Sequence, residues 1–310
     1  MARVALGFRD VEERRELITA RDGRRLDVRI AGPDDDGVVV GHAGTPDDGQ
    51  LFDETVEAGA KRGLRHVSYA RPGYAESDRK EGRSVADCAV DVEAIADALE
   101  IERFHVVGWS GGGPHALASA ALLPDRVISA ATIAGAAPHD REGLDWSEGM
   151  GNENIEEMGL AEQGADAVLP WLERQADEIR ASEPDDLLRM LGDLVSEVDR
   201  AALTGNFAEH SHASLQGSIS RGVWGWLDDD LALVRPWGFD LDSIRVPVTI
   251  WHGGEDRFVP VAHGQWLADN VPPAQSRLLD DEGHISLARR HHGDVLDDLR
   301  QHGLDHDSAV

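Results

Sequence analysis

The chain has 310 residues, 41% of them hydrophobic, and a formal net charge of −29, with 59 acidic residues against 30 basic ones. That length can bury a substantial core as one large domain or a core with an insertion, and the charge argues against nucleic acid or anionic lipid as partners. No run of about 18 apolar residues predicts a membrane span, and the Arg- and Glu-rich start lacks the apolar stretch of a secretory signal.

In chain order, residues 16–20 and 26–31 read as two short strands around the turn Asp22-Gly23. An acidic turn (33–37) leads to the apolar run Val38–Val40, which ends in Gly41-His42. Residues 51–62 read as a helix and 65–69 as a strand. Ser84 is a helix N-cap, and Val85, Ala89, Val92, Ile95, Ala96 and Leu99 follow at helical spacing. Residues 104–109 form a continuous apolar strand, 114–123 a helix and 127–133 another buried strand. Continuous apolar strands separated by amphipathic helices predict a parallel sheet covered on both faces. From 139 to 238 the strands stop and acidic helix-like segments take over, best defined at 160–180, 185–195 and 200–217. Alternation resumes with a strand at 246–251, a helix at 261–270, a strand at 276–279 and a C-terminal helix at 286–301. The expected organisation is an α/β core (1–138 and 239–310) interrupted by a helical block (139–238). That block reads either as a lid over a site or as a packed stability domain.

Gly108-Trp109-Ser110-Gly111-Gly112 matches G-x-S-x-G and sits between a strand and a helix, the setting in which that pattern projects a nucleophile. Glycines two residues to either side remove side chains that a sharp turn would bring into collision. A Gly-rich turn that binds phosphate, or nothing, is the plainer reading of the same residues. A serine hydroxyl also needs a base and an orienting carboxylate. Asp256 and His284 each follow a predicted strand, at the edge where open parallel sheets bind ligands. Asp140 is an alternative acid, and Glu255 would point away if Asp256 points in.

These motifs, together with His42-Ala-Gly-Thr-Pro46, Arg71-Pro-Gly-Tyr74 and Val259-Pro260, closely resemble the α/β-hydrolase superfamily, in particular its cap-bearing esterase, peptidase and haloperoxidase-like members. The resemblance implies an α/β-hydrolase fold, mostly parallel, with an inserted helical cap. It makes Ser110 the nucleophile, Asp256 the acid and His284 the base, and it places oxyanion donors at the Gly44 and Gly111 N–H groups. His42-Ala43 departs from the family's usual His-Gly, so the first donor could shift to Ala43 or Thr45. Serine at position 110, where dehalogenases and epoxide hydrolases of this fold carry aspartate, argues for acyl transfer to water. The expected activity is serine hydrolysis of a carboxylic ester or related acyl compound, a small-molecule substrate, without cofactor or metal. A ligand receptor with slow or single-turnover hydrolysis is the alternative on the same fold.

Other residues read more plainly. Trp109, Trp146, Trp171 and Trp224 are candidates for an apolar substrate pocket, each also explicable as packing. His42 should pack beneath the oxyanion loop, and His115 is read as structural. His210-x-His212 and His291-His292 lack the supporting ligands of a metal site. Cys88, the single cysteine, excludes an internal disulfide framework, fits a reducing cytoplasmic compartment and reads as a small core residue. Lys61 and Lys80 are the only lysines. An acidic, lysine-poor surface suits a salt-rich, halophile-type interior; a GC-rich genome would account for Arg over Lys but not for the acidic excess. The oligomeric state is left open, a homodimer included.

Overall fold

A computed structural model describes residues 13–33, 37–139, 141–272 and 274–307. Asp140, the middle of the acidic turn and most of the N-terminal segment lie outside the described residues.

The chain opens with β1 (Arg14–Thr19), β2 (Arg25–Ala31), β3 (Gly37–His42), α1 (Asp53–Ala60) and β4 (Leu64–Tyr69). Then follow α2 (Cys88–Ala98), β5 (Phe104–Trp109), α3 (Gly113–Leu122) and β6 (Val127–Ile133). The eight strands form one sheet in the order β1-β2-β4-β3-β5-β6-β7-β8, with β7 at Val248–Gly253 and β8 at Ala274–Leu279. β2 pairs antiparallel with β1 and β4, and every other pair is parallel. The burial pattern follows from position. Central β5 and β7 are apolar and buried almost throughout, because helices cover both faces. Edge strand β1 is mostly exposed, and edge strand β8 is half-exposed.

Between β6 and β7 lie α4 (Asn152–Gln163), α5 (Ala165–Ala181), α6 (Leu187–Met190), α7 (Glu197–Ala202), α8 (Asn206–Ser218) and α9 (Trp224–Leu233). After β7 come α10 (Val261–Asn270) and, following β8, α11 (His284–Asp307). The inserted helices are shorter than the sequence pattern suggests. The expected segment 160–180 is two helices broken at Gly164, whose φ is +107°, and 200–217 is broken at Gly205, whose φ is +58°. Both angles lie where non-glycine residues are strained.

The insertion has its own apolar core. Val168, Trp171, Leu172, Ile179, Ile219, Trp226 and Leu227 pack together and extend onto Ala70, Tyr74 and Ala75 after β4. A second cluster joins Leu187, Val195, Ala202 and Leu203 to Ile285 on α11. A third joins Trp146 and Met150 to Ala136 and Val259, so the inserted block is seated on the sheet domain at three points. Among the described residues no helix is long and apolar enough to cross a membrane. Leu172 is fully buried in the inserted core; Leu172→Ala should cost about 2–5 kcal/mol of unfolding free energy in urea titrations, whereas Ala at exposed Glu173 should change little.

Candidate active site

Ser110 stands just past β5 with φ of +55°, a left-handed backbone that a residue with a side chain seldom adopts. The turn is that tight only because its flanks are bare. A Cβ at Gly108 would lie 2.2 Å from the Gly112 carbonyl oxygen, and one at Gly112 would lie 2.1 Å from that of His42. Ser110 opens a single 3-10 turn that runs into α3, so the amides beside it belong to a helix start.

Asp256 follows β7. Its Oδ1 accepts the Phe258 and Val259 N–H groups, each at 2.9 Å, which leaves Oδ2 for Nδ1 of His284 at 2.8 Å. Nε2 of His252 lies 3.6 Å from the same Oδ2. Glu255 is exposed, as expected. The His284 ring is flanked by Phe258, at 4.6 Å between centroids, and by Trp109, at 5.5 Å. The Trp109 indole N–H also donates to the His284 carbonyl at 3.3 Å. Ser110, His284, Gly44, Thr45 and Gly111 all face one cavity.

Two aspartates from the insertion brace this arrangement, and neither was apparent from sequence. Asp199, on α7, is fully buried and accepts the N–H groups of His284, Ile285 and Ser286 at 3.0, 2.8 and 2.9 Å. It satisfies the open donors of α11 and complements the positive end of that helix. Asp229, on α9, binds Arg71 at 2.6 Å, Arg83 at 2.5 Å, Tyr74 Oη at 2.9 Å and Thr45 Oγ1 at 3.0 Å. Arg71 in turn donates to the Ala43 and Gly44 carbonyls at 2.5 and 2.6 Å, fixing the loop after β3. Burial alone would raise the Asp229 pKa, but Arg71 and Arg83 hold it far below the ordinary carboxylate range. The motif Arg71-Pro-Gly-Tyr74 was a signal for half of this network. The aspartate half reads as surface charge in Asp228-Asp229-Asp230, yet all three are buried.

The cavity, of about 230 Å³, runs from Ser110 into the inserted helices. Met150, Met158 and Met190, three of the four methionines in the chain, line it. Trp109, Trp146 and Trp171 line it. Trp224 does not: it is 39% exposed and stacks under the Arg79 guanidinium at 4.5 Å. Trp226 faces the cavity instead. Two residues apart on a helix means opposite faces, so only one of the pair can point inward. The Trp226 indole N–H donates to Glu157 Oε1 at 2.6 Å.

Remaining histidines take structural places. Nε2 of His42 meets Ser119 Oγ at 3.1 Å, and its ring stacks on His115, whose Nδ1 meets the Gly111 carbonyl at 2.8 Å. Burial pushes His115 down to about 3 and His42 well below its ordinary value, so both are neutral. His210 stacks on Phe52, whereas His212 meets Ser182 Oγ at 2.9 Å, so they do not converge. His291 faces Asp294 and Glu282, while His292 lies against His66. Burial raises the Cys88 thiol to about 12, in keeping with a packing role.

The sequence model of the alpha/beta hydrolase fold family matches residues 37–289, and the chain belongs to that family. Curated relatives are hydrolases at low identity. The chain is 25% identical to 3-oxoadipate enol-lactonase 1 of Acinetobacter baylyi, over 87% of this chain and 90% of that one. It is 26% identical to a 2-hydroxy-6-oxononadienedioate/2-hydroxy-6-oxononatrienedioate hydrolase of Comamonas testosteroni, over 89% of each. Among solved structures, an esterase from Exiguobacterium antarcticum superposes with a TM-score of 0.67 at 18% identity, covering 92% of this chain and 98% of that one.

Burial pushes Glu157 up to about 7, with Glu153 adding to the shift and the Trp226 and Asp230 interactions opposing it. A raised acid holds its proton in the folded state, so its stabilising contribution is complete below the ordinary glutamate value and lost as pH rises to about 7. Glu157→Gln keeps an acceptor for Trp226 and cannot ionise. Its melting temperature should rise relative to wild type by a few degrees from about pH 5 to about pH 8; a difference independent of pH would place the charge elsewhere.

Proposed function

We propose that the protein is a serine hydrolase that cleaves a carboxylic ester or related acyl compound through an acyl-enzyme intermediate. The observation that carries this reading is that Ser110, held in a left-handed backbone, opens onto the same cavity as His284, whose Nδ1 is bound to Asp256.

With Nδ1 engaged, Nε2 is the ring nitrogen that takes the Ser110 proton. Ser110 Oγ attacks the carbonyl carbon, and negative charge moves to the carbonyl oxygen. The Gly44 and Gly111 N–H groups receive that charge, at an oxyanion site beside the start of α3. His284 then passes its proton to the leaving alcohol as the C–O bond breaks. Water, deprotonated by His284, attacks the acyl-enzyme and releases the acid. Asp256 holds the productive tautomer and steadies the imidazolium. The inserted helices act as a cap that shapes the acyl cavity and keeps water from it. The enol-lactonase and the dioate hydrolase, as hydrolases of this family, support the general reaction.

Ser110→Ala should lower kcat on short p-nitrophenyl esters by at least about 10³-fold with an unchanged melting curve. Turnover close to wild type in that variant would remove Ser110 from the mechanism. Asp256→Asn should cost at least about 100-fold and Asp140→Asn little; the reverse order would move the acid to Asp140. Steady multiple turnover distinguishes the enzyme from a receptor that reacts once and keeps the acyl group.

A further inference from the structure

The cavity's charge inventory is one-sided. Its lining includes Asp47, Glu153 and Glu157 but, among the described residues, no Arg or Lys. Arg71 does not line it and is committed to Asp229 and to two loop carbonyls. Arg289 lies outside it, bound to Glu54 and to the Ala202 carbonyl. Behind Glu157 stands Asp230, fully buried, its carboxyl group interacting directly with that of Glu157. Most of the remaining wall is apolar, with the three methionines, Leu194, Trp171 and Trp226, and its other polar side chains, among them Asn154, Gln175 and Ser214, are uncharged.

Resting on the hydrolase reading, we propose that this cavity accepts esters whose acyl chain ends in an uncharged apolar group and rejects those that end in a carboxylate, with Glu157 as the specificity-determining residue. A carboxylate entering the cavity would lose its water and find no cation to replace it, while facing carboxyl groups of its own kind. An alkyl end would lose nothing polar and gain contact with methionine side chains, which adapt to irregular shapes. The enol-lactonase and the nonadienedioate hydrolase carry carboxylate compounds in their names; this wall is built against such a group.

The test compares two esters of equal chain length, p-nitrophenyl hexanoate and mono-p-nitrophenyl adipate, at about pH 8.5, on the alkaline side of the Glu157 and Asp47 titrations at about 7. The expected wild-type ratio of kcat/KM is at least about 100 in favour of hexanoate. Glu157→Gln should reduce that ratio at least about tenfold. Met158→Lys, at a half-exposed lining position, supplies the missing cation and should reduce it by a similar factor. A wild-type ratio near one, or a ratio unmoved by both variants in folded protein, overturns the proposal. Binding to Ser110→Ala protein gives an answer independent of turnover. Methyl hexanoate should bind at least about tenfold more tightly than monomethyl adipate by calorimetry, and equal affinities would overturn the specificity. If hexanoate turnover survives Ser110→Ala, the hydrolase mechanism fails whatever the ratio; if the ratio alone is flat, only the specificity fails.

Discussion

A buried carboxylate paired with two guanidiniums holds the two parts of this molecule in register. Asp229 comes from the last inserted helix, whereas Arg71 and Arg83 come from the segment after β4. With only one partner present, either charge would be buried and unpaired, a condition that typically costs about 3–5 kcal/mol. Both partners are required, so this charge network fixes the register of the insertion against the sheet domain. That pairing fixes Arg71, and Arg71 fixes the carbonyls of Ala43 and Gly44 in the loop beside Ser110. Asp199 does the corresponding work on the other side, by capping the helix that begins with His284.

The sheet was legible from sequence because its strands are local events. Runs such as Phe104–Trp109 and Val127–Ile133 have the apolar continuity that two covered faces require, and the glycines at 108 and 112 announce a turn with no room for side chains. The positions of Ser110, Asp256 and His284 just past strand ends followed from the same pattern. The insertion was read less well, for a physical reason. Its helices are short and acidic, and their boundaries are set by Gly164 and Gly205 in left-handed conformations, which in sequence look like tolerated interior glycines. Helix α9 was not among the best-defined helices because the glycine and three consecutive aspartates of Trp224-Gly-Trp-Leu-Asp-Asp-Asp230 interrupt its apolar spacing. Two of those aspartates pair with arginines about 150 positions earlier, Arg79 with Asp228 and Arg71 and Arg83 with Asp229, while Asp230 packs against Glu157. Choosing Trp224 over Trp226 for the pocket was the same error in miniature: the face a helix buries is decided by what lies beneath it.

The distribution of polar groups along the cavity separates two tasks. Near Ser110 the polar groups are matched: Asp256 with His284, Arg71 with Asp229, Asp199 with three amides. Deeper in, burial raises Glu157 and Asp230, and among the described residues lining the cavity there is no arginine or lysine for Glu157 to face. The matched end supplies rigid geometry, and the unmatched end is the seat of the proposed selectivity.

The placement of Asp199 and Asp229 also bears on how such an insertion can be exchanged. A chimaera that swaps residues 139–238 for the corresponding block of a relative would import a new cavity wall. It would also strip the cap from the start of α11 and leave Arg71 and Arg83 facing nothing. Grafts that keep an aspartate at each of those two points should retain a formed catalytic edge, and those that lose either should arrive as folded sheets with a disordered mouth.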